Sequence, residues 1–310
     1  MSQSAAPSRV LSVEAATRFR PVEKSIEFAL VLAAVFSVFI TAGIVYVLFS
    51  EGIPFFAHEE VTVWKFLTDT KWAPGFADKH FGIMPLVCGT LMTTLIAVLV
   101  SLPIGTTIAI WLSEFANPKV REIVKPILEL LSAVPTVVYG YFAISLVTPA
   151  LQQVMTDLPL FNVLGAGIVM GIMIIPYVSS LSEDAMRAVP MLLREGSYGM
   201  GANKITTAFK VVFPAALSGI AASYILAISR AVGETMIVSI AAGNQPNMTL
   251  DPRQGAQTIT AYIVQVSMGD LPHGTIEYQT IFAAGMTLFF MTLAFNLLGT
   301  WLRRRYRQVY

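Results

Sequence analysis

Hydrophobic and polar positions fall into long alternating blocks along this chain. The first apolar block spans Phe28–Phe49, and five more cover about 85–112, 124–150, 162–182, 212–242 and 280–302. At about 1.5 Å of rise per residue, blocks of this length cross a hydrocarbon core of roughly 30 Å. The pattern predicts an all-α integral membrane protein with six transmembrane helices. The expected organisation is a tail over 1–24, the first helix with its outer loop over 25–82, a core transmembrane domain over 83–302, and a basic tail over 303–310. The first block is too long for a signal-peptide core and no small-residue cleavage site follows it, so it is expected to remain as an anchor.

Pro103-Ile104-Gly105, Pro135 and Pro176 mark expected breaks within the spans. Gly167 and Gly171, one turn apart, predict close helix approach. The stretch 189–214 is amphipathic and charged. Pro190 suits a helix start, Gly196, Gly199 and Gly201 suit tight packing or a sharp turn, and Asn203 suits an N-cap. A short helix–turn–helix is therefore expected on the membrane surface, with Pro214 at the start of the following span. The loop 51–82, with Trp64, Phe66 and Trp72, is expected at the outer surface, its aromatics either anchoring at the interface or touching a soluble partner. A second polar outer loop, 243–279, carries Asn244, Gln245, Asn247, Arg253 and Gln257.

Composition agrees with the membrane reading: 55% of residues are hydrophobic and 13% charged. A net charge of +1 says nothing about nucleic acid, because the basic residues sit in short loops rather than on one face, and no nucleic-acid partner is expected. The single cysteine, Cys88, excludes an internal disulfide, and His58, His80 and His273 lack ligand spacing, so no metal and no cofactor is expected. Lys and Arg are asymmetric. Arg9, Arg18, Arg20 and Lys24, then Lys119, Arg121 and Lys125, then Arg187, Arg194, Lys204 and Lys210, then Arg303, Arg304, Arg305 and Arg307 lie on one side. Lys65, Lys71, Lys79 and Arg253 lie on the other. The excess puts both termini and the 189–214 loop in the cytoplasm.

Arg230 and Glu234 stand inside an apolar block, four residues apart and so on one face of an unbroken helix. A charge at mid-membrane costs on the order of 2.5–3.5 kcal/mol on insertion scales and asks for a function. Arg before Glu is the weaker helix-stabilising order. A guanidinium there suits an oxyanion, because its fork of donors matches two oxygens at once. Glu234 is expected to hold Arg230 when no anion is present; the alternative is a structural ion pair that fixes helix register. Glu129 is expected to pair with Lys125, and Glu183 and Asp184 to end the fourth span beside Arg187.

Two motifs carry a resemblance. Glu195, Gly196, Ser197, Gly201, Val211, Phe213 and Pro214 follow the spacing of the EAA loop of ABC-importer permeases, with Gly196 and Ser197 in place of alanines. Arg230-Ala231-Val232-Gly233-Glu234-Thr235 resembles the R-A-x-G-E-T signature of phosphate-specific permeases. Phe81–Leu86, Glu129–Pro135, Val137–Gly140 and Leu181–Ala185 resemble the C-type subunit of that system. The resemblance implies a MetI-like, type I ABC-importer permease fold in the bacterial cytoplasmic (inner) membrane. It implies a substrate pathway at Arg230, Glu234 and Thr235 and an ATPase-coupling loop at Glu195, Gly196, Ser197, Gly201 and Pro214. The implied partners are a dimer of ATP-binding subunits, an A-type permease completing a heterodimer, an extracytoplasmic phosphate-binding protein and the lipid bilayer. The implied function is phosphate import by alternating access, with no catalysis on this chain. An importer of molybdate, tungstate or sulfate would carry the same coupling loop. An ion-gradient-driven transporter is the third reading, opposed by that loop and by the lack of a repeat between the halves.

Overall fold

The computed structural model describes residues 21–269, 272 and 274–305, without the side chains of 21–23 and 302–304. The tail expected over 1–24 lies almost entirely outside the described residues, as do His273 and the last five residues with Arg307. The described residues fall into two compact units that divide between residues 48 and 49.

Helix α1 spans Pro21–Phe55 and matches the first apolar block, ending six residues later than the pattern suggested. The loop that follows is folded. It contains α2 (Val63–Thr68) and a short antiparallel ribbon, β1 (Trp72–Ala73) with β2 (His80–Phe81), in which Trp72 faces Phe81. Phe55, Phe66 and Phe81 pack edge to face, and Trp72 stacks in the same manner on Tyr262. Phe66 and Trp72 are thus core residues rather than interfacial anchors, whereas Trp64 is exposed. Each buried ring removes a large apolar area from solvent and adds a specific ring–ring geometry, which is what gives this loop a core of its own.

The second span is α3 (Met84–Ile110), extended by a π-helical turn over Trp111–Phe115. Pro103 lies inside α3 and does not break it. The third block is not one straight helix. Helix α4 (Pro118–Ser132) meets α5 (Thr136–Phe142) and α6 (Thr148–Gln152), joined by a π turn over Ala143–Val147, at 86°. The break falls at Pro135, as its proline predicted, because proline has no N–H to donate to the preceding turn and its ring crowds that turn's carbonyl. Helix α7 (Val163–Arg187) is capped by Asn162, whose side chain accepts from the Gly165 N–H at 2.6 Å. It is continuous through Pro176.

Then come α8 (Met191–Gly199), α9 (Lys204–Thr207), a π turn over Ala208–Val212, α10 (Phe213–Ala215) and α11 (Leu217–Val232). The run from Lys204 to Ala215 meets α11 at 70°. Helix α12 (Met236–Ala241) follows a break at Gly233–Thr235, so the fifth block also divides. Within the second polar loop lies α13 (Ile259–Ser267), capped by Thr258, and the last span is α14 (Ile276–Arg305). Among the described residues, four helices are long and apolar enough to cross a membrane, or up to six if each bent pair is one span.

The core joins α3, α5, α7, α11 and α12 through residues such as Ala97, Tyr139, Met170, Ile174, Ala227 and Ile237. Helices α3 and α7 approach closely: a Cβ on Gly171 would stand 2.7 Å from the Val100 Cβ, and one on Gly167 the same distance from the Ile96 Cβ. Both glycines act as their spacing predicted. Small residues let backbones meet where no hydrophobic drive separates protein from lipid.

Candidate functional site

Helices α8 and α9 form the expected helix–turn–helix. Pro190 stands just before α8 with extended backbone, and Gly201 makes the turn at φ +83°. Asn203 caps α9, its side-chain oxygen accepting from the Thr206 N–H at 2.8 Å. Of the three glycines only Gly201 carries a backbone demand; Cβ atoms at Gly196 and Gly199 would meet open space. Ser197 is buried, its hydroxyl 2.8 Å from that of Thr207, so the pair closes α8 on α9. Glu195 and Gly196 are exposed, with Met191, Leu192, Met200 and Ile205 beside them in the sequence and also exposed. Pro214 lies in α10, immediately ahead of the 70° bend.

Arg194, absent from the motif, does the most structural work at this end. Its guanidinium donates to Glu114 at 3.0 and 3.4 Å, to the Val189 carbonyl at 2.6 Å and to the Met186 carbonyl at 2.9 Å. One side chain thereby ties α8 to the end of α7 and to the π turn after α3. A charged pair this dry is strongly held once its remaining donors are also satisfied. Glu183 is a second such node. Fully buried in α7, it accepts from Arg121 at 2.7 Å and Lys125 at 2.8 Å, with Arg187 at 3.7 Å. Lys125 also bonds Asp184. Lys125 therefore reaches α7 and not Glu129, because α4 turns its cations toward that helix. Sequence spacing pointed to the local partner; the true ones are some sixty positions away.

Arg230 and Glu234 are not partners. Helix α11 stops at Val232 with Gly233 as its cap, so Glu234 lies in the break and leaves the face that Arg230 occupies. The Glu234 carboxylate instead accepts from the Met236 N–H at 3.2 Å, at the start of α12, while its backbone carbonyl accepts from the Thr260 hydroxyl at 2.7 Å. The Thr235 hydroxyl reaches back to the Gly233 carbonyl at 3.3 Å, and its own carbonyl accepts from the Ser239 hydroxyl at 2.7 Å. Among the described residues, no carboxylate lies within 4.0 Å of the Arg230 guanidinium. Its Nε is buried and has no acceptor. The guanidinium carbon lies 4.4 Å from the centre of the Tyr177 ring. Tyr177 belongs to α7 and to no motif, so nothing in the sequence pointed to it. No grouping of metal-binding side chains occurs among the described residues.

The model of the binding-protein-dependent transport system inner membrane component matches residues 101–308. The chain belongs to this family. Inner membrane components of this kind are multi-pass permease subunits of ABC importers rather than enzymes, and the apolar helices fit that role. A probable ABC transporter permease protein, YqgH of Bacillus subtilis, is 32% identical over 82% of this chain and 82% of its own. The phosphate transport system permease protein PstC of Mesorhizobium japonicum is 31% identical over 73% of this chain and 74% of its own. Among solved structures, a bacterial ABC transporter that imports alginate superposes with a TM-score of 0.61 at 15% identity, covering 93% of this chain and 100% of that one. The inward-facing MetNI methionine transporter gives 0.54 at 17% identity over 73% and 95%. The fold is thus the MetI-like permease fold of ABC importers, with 189–214 of the inner membrane component folded as a separate helical hairpin.

Proposed function

We propose that this chain is a channel-forming subunit of an ATP-driven importer of inorganic phosphate. One observation carries the reading: a partly buried guanidinium, Arg230, about 20 Å along α11, has an unused donor and, among the described residues, no carboxylate partner. A buried guanidinium left without a counter-ion invites an anion, and an oxyanion matches its fork. Phosphate is favoured among oxyanions by similarity to proteins named as phosphate permeases. Glu234 and Thr235, in the adjoining break, border the same passage, and Glu234 discourages a bound anion from staying.

The exposed surface of α8 and α9 around Glu195, Gly196 and Gly201 docks the ATP-binding subunits, and Ser197 and Pro214 keep it in shape. Both termini share its cytoplasmic side of the bacterial inner membrane, flanking a core domain over 83–302. A related A-type permease completes the pathway, and an extracytoplasmic binding protein delivers the ion. Nucleotide and loaded binding protein must each favour the outward-open state for transport to alternate.

The test is uptake of labelled phosphate at low concentration in cells with no other phosphate system, with sulfate and molybdate as competitors. Arg230→Gln is expected to abolish uptake while the complex still co-purifies; normal uptake by that variant removes Arg230 from the mechanism. Competition by sulfate or molybdate moves the substrate to that anion.

A further inference from the structure

We infer that Tyr177 is the positioning residue of the anion pathway: its ring compensates and aims the Arg230 guanidinium while leaving its N–H donors free for the passing oxyanion. The inference rests on the oxyanion reading of Arg230.

The argument starts from what a guanidinium inside a membrane needs. It cannot shed its proton, so its charge must be compensated in place. A carboxylate would do so and would also occupy the two parallel donors that an oxyanion uses. The site would then open only by breaking a desolvated ion pair. An aromatic face attracts the cation through its quadrupole and offers no lone pair, so the donors stay unspent. Arg230 shows this second arrangement. Its guanidinium sits over the Tyr177 ring at 4.4 Å, its Nε is buried with no acceptor, and Glu234 has turned to the Met236 N–H at the start of α12.

The two residues also belong to different parts of the machine. Tyr177 is on α7, whose far end is clasped by Arg194 of α8, and Arg230 is at the end of α11. A shift of α7 relative to α11 would change the contact between ring and guanidinium. Anion affinity at Arg230 would thereby follow the movement of the α8–α9 hairpin.

The experiment uses the assembled transporter in proteoliposomes with its ATP-binding subunits and phosphate-loaded binding protein, and reads phosphate moved per ATP hydrolysed. Tyr177→Phe keeps the ring and is expected to stay within about twofold of wild type. Tyr177→Leu and Tyr177→Met remove it, and each is expected to lower the ratio roughly tenfold, which corresponds to about 1.4 kcal/mol. ATP hydrolysis and co-purification stay near normal in all three, which a merely structural defect would not allow. Wild-type ratios in both ringless variants overturn the inference, as does a tenfold loss in Tyr177→Phe, which decides the matter even if neither ringless variant assembles. Arg230→Gln run alongside separates the two levels. If it transports normally, the oxyanion reading falls; if it is inactive while the ringless variants are normal, only the role of Tyr177 falls.

Discussion

Arg194 and Glu114 grip each other across two elements, with the guanidinium donating to both carboxylate oxygens and both side chains nearly buried. Arg194 also closes on two carbonyls at the end of α7. Any displacement of α8 is therefore delivered to α3 and α7 together. Arg194→Ala is expected to cost about 3–5 kcal/mol, because it strands a buried carboxylate. Thermal unfolding of the purified complex measures it. The double variant Arg194→Met with Glu114→Leu should regain most of that stability yet remain inactive in uptake. Recovery of uptake in the double variant would reduce the pair to a latch.

Glu183 compensates three cations, so losing it should cost more than losing any one of them. Glu183→Ala is expected to destabilise by about 3–5 kcal/mol, with Lys125→Met costing less because Arg121 still answers the carboxylate. Equal shifts in unfolding temperature for the two variants would contradict this ordering.

The contact of α3 with α7 tolerates no added carbon at Gly171, where a Cβ would also stand 2.9 Å from the Ala97 carbonyl. Gly171→Ala should destabilise by about 1–3 kcal/mol through enforced separation of the helices. Gly196→Ala, placed in open space, serves as the matched control and should leave unfolding unchanged.

Gly201 poses a different demand, a positive φ without crowding. A β-branched residue there is strained by on the order of 1–3 kcal/mol, so Gly201→Val should distort the turn between α8 and α9. The expected readout is loss of co-purification with the ATP-binding subunits while the transmembrane bundle unfolds at its usual temperature. Full retention of those subunits would place docking elsewhere.

Asp69, in the folded loop after α1, titrates below the usual carboxylate range. Burial raises it, but the His80 ring and the Lys71 and Thr70 N–H groups lower it further. A depressed folded pKa stabilises above the unfolded value, about pH 4, and that stabilisation is lost as pH falls through the folded one. With a third of the side chain exposed, the effect is small, about 0.5 kcal/mol. The gap in unfolding temperature between the protein and Asp69→Asn should close on going from pH 6 to pH 3; a gap that widens contradicts the sign.

Much of this architecture was legible in the chain. The apolar blocks located the four long spans and the two bent pairs, and Asn203 and Gly201 located the cap and turn of the hairpin, because those features depend on neighbours in sequence. What was hidden depends on distant ones. The bend at Pro135 was signalled, but its 86° angle comes from packing of α5 on α12 and of α4 on α7. The break at Gly233–Thr235 sits in an apolar run whose hydropathy does not change, so Arg230 and Glu234 looked like helical neighbours. Helix α13 was lost among polar residues because its burial comes from α3 and α14. Tyr177 carries no local signal, and for Glu183 the local spacing showed only Arg187, since Arg121 and Lys125 lie on another helix.

Helix α4 has a last consequence. It has no buried residue, its cations turn in toward Glu183, and Ile123, Ile127 and Leu130 are exposed. That aliphatic face is left for apolar surroundings outside this chain to cover. The fold is therefore completed from without at this helix, and whatever covers α4 backs the ionic anchor on its other side.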